Sequence, residues 1–425
     1  MLTQAPKGTQ DVVPAQSYRW QIIEQIMRDV CNLYGYREVR TPTFEHTELF
    51  LRSVGDTTDV VQKEMYTFLD KGERSITLKP EGTAGAARAF LEGKLFAEPL
   101  PCKMYYISCP VFRYEKPQAG RLREHHQLGV EVFGAKDATC DAEVIALALD
   151  VIAKCGIENL RLTINSIGCS ECKGHYNDVL KAYLQPKLDS LCATCRERFD
   201  KNPMRILDCK EESCQRQLTD APAMIDHLCI DCDTHFKQLR SNLDALGIQY
   251  EVDSRIVRGL DYYTKTVFEI ITKTPAGTNL TVCGGGRYDG LIEQIGGPAT
   301  PGIGFGMGVE RLMMVQDMNG SAPVAKPLYD VFVCTLGEEA RLEGLKLISE
   351  LRAANVRADI DHAARSLKAQ FKYADKSGAK KVIVIAGDEL AKGIVKLRDM
   401  KLSSEIEFPR DEIVALLSNK SCIQK

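Results

Sequence analysis

Apolar residues recur at helical spacing early in the chain, at Ile22, Ile23, Ile26, Met27, Val30 and Leu33. That stripe predicts a helix over 17–34, opened by Ser17 and closed by Gly35. Residues 36–42 read as extended and end in Pro42. Two short strands are expected over 59–69 and 74–78, around Asp70-Lys71-Gly72, followed by an alanine-rich helix over about 84–91. From 102 to 133 the period changes. Residues 103–113 and 127–133 are rich in β-branched and aromatic side chains and flank a turn at Lys116-Pro117-Gln118-Ala119-Gly120, so a long hairpin is predicted. Helix is expected at 141–155 and 236–248, strand at 160–165, and a strand passing into a helix at 302–315. Beyond a Gly/Pro/Ser linker at 317–327, strands and helices alternate, with an edge hairpin and a final helix over 411–419, which predicts a small parallel or mixed sheet.

Length and charge narrow the possibilities. A chain of 425 residues, 44% hydrophobic, holds two or three domains. The formal charge of −3 does not draw a polyanion, so a nucleic-acid partner needs local basic patches. Lys368, Lys372, Lys376, Lys380 and Lys381 form one candidate, and a plain solvated lysine surface is the other reading. No apolar run approaches membrane-spanning length and the start lacks a signal layout, so a cytoplasmic location is expected.

Sixteen cysteines change the picture. In a long chain of this kind they point to thiols or metal ligands. Eight fall in 166–235, which reads as an inserted module. The spacing Cys169-x2-Cys172 with Cys192-x2-Cys195 suits one four-cysteine zinc site, and Cys209-x4-Cys214 with Cys229-x2-Cys232 a second. Reduced cysteines without metal are the alternative.

The hairpin also carries chemistry. Its walls hold Arg113, Glu115, Arg121, Arg123, Gln127 and Glu131. Alternation puts Arg113 with Glu115 on one face, and Gln127, Gly129 and Glu131 together. Guanidinium forks among carboxylates and amides suit an anionic or zwitterionic ligand, where an ordinary sheet face carries surface ion pairs. Glu81-Gly82-Thr83 stands at a strand-to-helix corner, where the carboxylate could simply offset a helix N-terminus. The run Arg258-Gly-Leu-Asp-Tyr262-Tyr263 leads into a β-prone stretch. Gly284–Gly286 permit close backbone approach or form a flexible loop. Glycine at 302, 304, 306 and 308 strips one strand face, and Arg311 follows in the next helical turn. A flat ligand or close packing would each use such a face.

These stretches resemble a known family. FRYE, then PQ-GR and the following His-Gln run, is similar to the second signature motif of class II aminoacyl-tRNA synthetases. The helix over 17–34 with the segment ending at Pro42 resembles the first motif, and GIGFGMGVERLMMV resembles the third. RGLDYYTKTVFE is similar to the histidine-specific signature, and almost the whole chain resembles the bacterial-type histidyl-tRNA synthetase family. The resemblance implies an α+β fold: an antiparallel-sheet catalytic domain at 1–325, with the cysteine-rich insertion at about 166–235, and an α/β anticodon-binding domain at 326–425. It implies a homodimer that uses ATP with Mg²⁺, forms histidyl-adenylate and pyrophosphate, and passes histidine to the 3′ end of tRNA(His).

The same resemblance implies roles. Arg258 and Arg113 are the catalytic pair, Arg258 on the histidine carboxylate and α-phosphate and Arg113 on the α-phosphate. Glu81, Thr83 and Gln127 hold the α-amino group, with Gly82 in the same histidine-binding set. Glu131 and Tyr263 read the imidazole, and Tyr262 lines its pocket. Glu115, Arg121, His125 and Arg311 join Arg113 around ATP. Two positions depart from the family: Lys79 replaces its usual Arg and His125 its usual Phe. Two rivals are a histidine-sensing regulatory paralogue without catalysis and a synthetase for another amino acid. The first should lack the C-terminal domain and parts of RGLDYY, which are present here.

Overall fold

The first helix is Pro14–Leu33, three residues longer at its start than the apolar stripe alone indicates. Pro14 takes the first helical position, where its fixed φ and missing N–H cost nothing. Ser17 therefore lies inside the first turn, its hydroxyl donating back to Pro14 O at 3.3 Å. Trp20, Ile23, Met27 and Val30 form the buried face. The computed structural model describes residues 3–55, 58–118, 120–209, 211–257, 259–274 and 277–418.

An eight-stranded sheet organises the larger unit, Met1–Pro323. Its order is Arg37–Glu38, Cys102–Phe112, Glu124–Phe133, Gly302–Gly308, Asn279–Arg287, Thr264–Lys273, Arg161–Ser166, Glu251–Val252. The six inner strands pair antiparallel, and the two short edge strands join in parallel. The predicted hairpin is the pair Cys102–Phe112 and Glu124–Phe133, which ends one residue before Arg113. A smaller sheet joins Phe44–His46, Ser75–Leu78 and Tyr66–Leu69. The strand expected from 59 starts only at Tyr66. Val60–Glu64 instead forms a helical turn, with Lys63 3.6 Å from Asp59 one turn back. Gly284, Gly285 and Gly286 lie within the strand Asn279–Arg287 rather than in a loop.

One face of the large sheet packs on helices Pro14–Leu33, Ala138–Lys154, Ile230–Ala245 and Val309–Asn319, through Val130, Phe268 and Phe305 among others. A buried ionic knot joins them. Arg287, wholly buried, binds Asp141 through Nε and Nη2 and donates Nη1 to Ala135 O at 2.7 Å, while His235 Nε2 lies 2.8 Å from Asp141. Asp141 is held below the usual carboxylate range because His235 and Arg287 outweigh the cost of its burial. The insertion is helical, with Ser170–Leu184, Ala193–Lys201 and Glu212–Gln217 before Ile230–Ala245.

The second unit, Val324–Lys425, has a five-stranded sheet ordered Ala358–Ile360, Val331–Thr335, Lys381–Ile385, Ile394–Asp399, Glu405–Pro409. The first three run parallel and the last two form the expected antiparallel edge. Its final helix is Ile413–Ser418, and Asn419 lies outside the described residues. Lys368, Lys372 and Lys376 are exposed on the helix Leu367–Lys376, while Lys380 sits 3.9 Å from Asp330 and Lys381 opens a strand.

Candidate functional site

The sheet face opposite the helical core carries the site. Strand register sets glycines side by side there: Gly129 faces Gly306, and Gly306 faces Gly284. The four alternate glycines do not act alike. A side chain at Gly302 would strike Tyr288, and one at Gly304 would strike the Val130 carbonyl and the Glu131 carboxylate. Gly306 and Gly308 have room above them, with Gln127 and Arg311 as nearest neighbours at 3.4 and 3.5 Å. Only that half of the strand presents a bare floor.

A cavity of about 290 Å³ lies over it. Its walls include Arg113, Glu115, Arg121, His125, Gln127 and Arg311, so every residue expected around ATP meets there. Each guanidinium is held in place. Arg113 Nε donates to Pro80 O at 2.8 Å, Arg311 donates to Gly120 O at 2.9 Å and Thr281 O at 2.6 Å, and Arg121 pairs with Glu115 at 2.7 Å. Burial and the neighbouring Arg113 and Arg311 push His125 down to about 3, so its ring is neutral at working pH. A neutral ring among fixed cations suits a base above the glycine floor and phosphates beyond it.

Beside this cavity lies a nest of carboxyls and phenols. Glu131 is wholly buried and accepts from Thr83 Oγ1 at 2.8 Å, Tyr106 OH at 3.0 Å and Tyr288 OH. Burial pushes its carboxyl up to about 8, against the three hydroxyl donors. Glu81 accepts from Thr83 N at 2.7 Å and Ala84 N at 2.8 Å, so it caps the helix Thr83–Glu92 while standing in the nest. Both carboxyls are raised by burial and suit a cationic ligand that would replace the lost water. Gly82 and Gly129 both lie against the Tyr106 ring, which a side chain at either position would displace. Tyr262 packs at a tilt against Tyr263, with ring centroids 4.8 Å apart, and approaches Tyr288 at 5.6 Å.

Arg258 lies outside the described residues. Its neighbour Gly259 lines the cavity. Lys79 is buried beside Thr41, with Nζ 3.4 Å from Thr41 Oγ1. The sequence reading missed Tyr106 and Tyr288, which complete the nest, and Glu310, which accepts from His126 N at 3.0 Å and lines the cavity. One signal was available: a glycine at 129 between Gln127 and Glu131 leaves a hole that the facing Tyr106 fills.

The cysteines pair differently from the expectation. Cys169 and Cys172 meet Cys229 and Cys232, while Cys192 and Cys195 meet Cys209 and Cys214. The expected joining of the first two pairs fails because Cys192 opens the helix Ala193–Lys201, whereas Cys229 opens Ile230–Ala245 next to Cys169.

A family model described as histidyl-tRNA synthetase matches residues 8–312, and an anticodon binding domain model matches 330–420. A curated relative from Caldanaerobacter subterraneus subsp. tengcongensis, named histidine–tRNA ligase, is 56% identical over 99% of this chain and 100% of its own length. Another of that name, from Alkaliphilus oremlandii, is 58% identical over 98% of each chain. The crystal structure of an S. aureus histidyl-tRNA synthetase superposes with a TM-score of 0.85 at 37% identity, covering 98% of this chain and all of that one.

Proposed function

Since the chain belongs to the histidyl-tRNA synthetase family, we propose that the glycine-floored cavity takes ATP and the carboxyl nest takes histidine. The activity is that of a histidine–tRNA ligase: histidine and ATP give histidyl-adenylate and pyrophosphate, and the histidyl group passes to the 3′ end of tRNA(His). The observation that supports the placement is the joining of two unlike chambers on one sheet face. Three fixed guanidiniums line one, and buried carboxyls with hydroxyl donors fill the other.

In this reading Arg113 and Arg258 hold the α-phosphate, and Arg258 also meets the histidine carboxylate. Two anions must come into contact for the carboxylate to attack, and fixed cations between them lower that cost. Arg121, Glu115 and Arg311 hold the triphosphate and adenine side, with neutral His125 stacked on the base. Glu81, Thr83 and Gln127 take the ammonium group, and Gly82 keeps the approach open. Glu131, Tyr263 and Tyr262 surround the imidazole. Mg²⁺ fits as a companion of ATP: among the described residues only cysteine sets lie close enough to form a preformed cage. Glu115 and Glu269 at the cavity wall offer it oxygens. When bound, Mg²⁺ neutralises phosphate charge. Zinc, where present, belongs to the insertion and not to the reacting centre.

The second unit is the anticodon-binding domain, its exposed Lys368, Lys372 and Lys376 facing phosphate. We place the enzyme in the cytoplasm as a homodimer; no helix among the described residues is long and apolar enough to cross a membrane. Pyrophosphate exchange with each of the twenty amino acids tests the reading. Exchange driven by histidine alone supports it, and exchange driven by another amino acid or by none overturns it.

A further inference from the structure

We propose that the insertion holds two zinc ions, one in Cys169/Cys172/Cys229/Cys232 and one in Cys192/Cys195/Cys209/Cys214, and that they brace the loop carrying Arg258, Tyr262 and Tyr263 against the active site. Within each set, all four sulfurs lie within 4.8 Å of one another. The sulfurs stand 3.6 Å apart for Cys169–Cys172, 4.0 Å for Cys169–Cys229 and 3.9 Å for Cys192–Cys209. Sulfurs bound tetrahedrally at a Zn–S distance of about 2.3 Å stand roughly 3.8 Å apart, so the sets match zinc geometry. They are far from the roughly 2 Å of a disulfide.

The local structure repeats. Cys169, Cys192 and Cys229 each stand at a helix N-cap, and Cys172, Cys195 and Cys232 lie in the first turn that follows. Helix N-termini favour thiolates over thiols. Backbone donors also reach across from one pair to the other: Cys229 N to Cys172 Sγ at 3.1 Å, and Cys192 N to Cys214 Sγ at 3.2 Å. Such bonds orient thiolates around a metal. Soft sulfur donors in a closed tetrahedron select zinc over the oxygen-seeking cations.

The chain that follows Cys172 and the chain that follows Cys195 both reach the catalytic loop. One residue beyond Cys172, Lys173 donates to Tyr263 O at 2.5 Å. Beyond Cys195 on the second helix, Arg198 pairs with Asp59 at 2.6 Å. Just past that helix, Asn202 donates to Asp261 at 3.1 Å and Arg205 to Gly259 O at 2.6 Å. The flanks of Arg258 are thus pinned by Lys173, on the helix that Cys169 opens, and by Asn202 and Arg205, which directly follow the helix that Cys192 opens. Cys192 and Cys209 themselves line a chamber shared with Arg113, Arg121 and Gly259. The coupling part of the proposal rests on the histidine-ligase reading, and the metal part does not.

The test uses full-length protein purified without chelators. Elemental analysis is expected to find two zinc per chain. Cys169→Ser/Cys172→Ser and Cys192→Ser/Cys195→Ser should each lose one. Cys172→Ser/Cys195→Ser takes one ligand from each set and should lose both ions, whereas a joint site built from 169, 172, 192 and 195 would lose only one. Iron in place of zinc, less than a tenth of an equivalent in the parent protein, or a single loss in that last variant overturns the metal assignment. Where a variant fails to fold by circular dichroism, zinc is withdrawn from the parent protein with a thiol-modifying reagent and counted with a chromogenic chelator. For the coupling, zinc-depleted folded protein should show faster hydrogen exchange at 257–263 and at least a tenfold loss of histidine-dependent pyrophosphate exchange, as expected when a reacting group is misplaced by about an ångström. Unchanged exchange on both measures overturns the bracing. Absence of histidine-dependent turnover in the zinc-loaded parent would instead count against the ligase reading, leaving the metal count to stand on its own.

Discussion

Thr83 Oγ1 donates to Glu131 Oε1 across 2.8 Å, joining the start of one helix to a strand 48 residues later. The groups assigned to the two ends of histidine, ammonium and imidazole, are therefore in direct contact. In the proposed reading, a histidine seated between them would have to replace that bond.

Glu131→Ala should raise the KM for histidine about ten- to a hundredfold, the cost of leaving a buried polar group of the ligand without its partner. The KM for ATP should stay nearly unchanged, since Glu131 sits in the nest and not in the cavity wall. Initial rates of pyrophosphate exchange measure both. An unaltered histidine KM removes Glu131 from the pocket.

Stability should depend on pH through the same carboxyl. Burial raises it from its usual 4.5 to about 8, so between those values the folded chain holds a proton that the unfolded chain has lost. Its contribution is complete below the lower value and is lost as pH rises through the upper one. Glu131→Gln cannot ionise and should gain in melting temperature relative to the parent between about pH 5 and pH 8. A difference that ignores pH contradicts the raised carboxyl.

The two halves of the glycine strand should respond differently to valine. Gly304→Val collides with the Val130 carbonyl and should lower the melting temperature by several degrees. The Cβ added by Gly306→Val meets nothing closer than Gln127 at 3.4 Å, so this variant should fold, while its side chain occupies the floor and raises the KM for ATP. Equal stability losses, or an unaffected ATP requirement in the second variant, would show that the floor is packing and not a ligand surface.

Arg258→Ala should slow adenylation by roughly a hundred- to a thousandfold, as for other single electrostatic donors to a transition state. Transfer from preformed adenylate to tRNA should suffer much less. Rapid-quench analysis separates the steps, and equal losses in both assign Arg258 to binding or structure.

Asp141→Ala leaves the wholly buried Arg287 without its main counter-charge and should cost about 3–5 kcal/mol in urea unfolding. A loss below about 1 kcal/mol would mean that the Ala135 carbonyl and Asp289 already satisfy the guanidinium.

Much of this was readable from the chain. The hairpin declared itself by alternation, because half-buried strands need it. Arg113, Glu115, Arg121 and His125 share a cavity because they lie on one hairpin, and Arg311 joins them because Gly302–Gly308 pairs with Glu124–Phe133. What escaped the reading was non-local. Tyr106 and Tyr288 look like core aromatics until the sheet register sets one against Gly129 and the other against Glu131. Val60 and Val61 carry strand propensity, yet the chain forms a helical turn there. Spacing correctly flagged eight cysteines but could not say which pairs meet, since that is decided by where two distant helices begin.

The pairing that emerged has a topological meaning. The second cysteine set, 192–214, lies wholly inside the segment closed by the first, between Cys172 and Cys229. The sets are nested, not sequential. Thirteen residues separate Cys195 from Cys209 and fifty-six separate Cys172 from Cys229, so the inner ring closes at the lower entropic cost. Once it has closed, it shortens the effective span that the outer ring must bridge. A nascent chain exposes the whole inner set before Cys229 leaves the ribosome, so assembly of the module can begin from its centre and proceed outward.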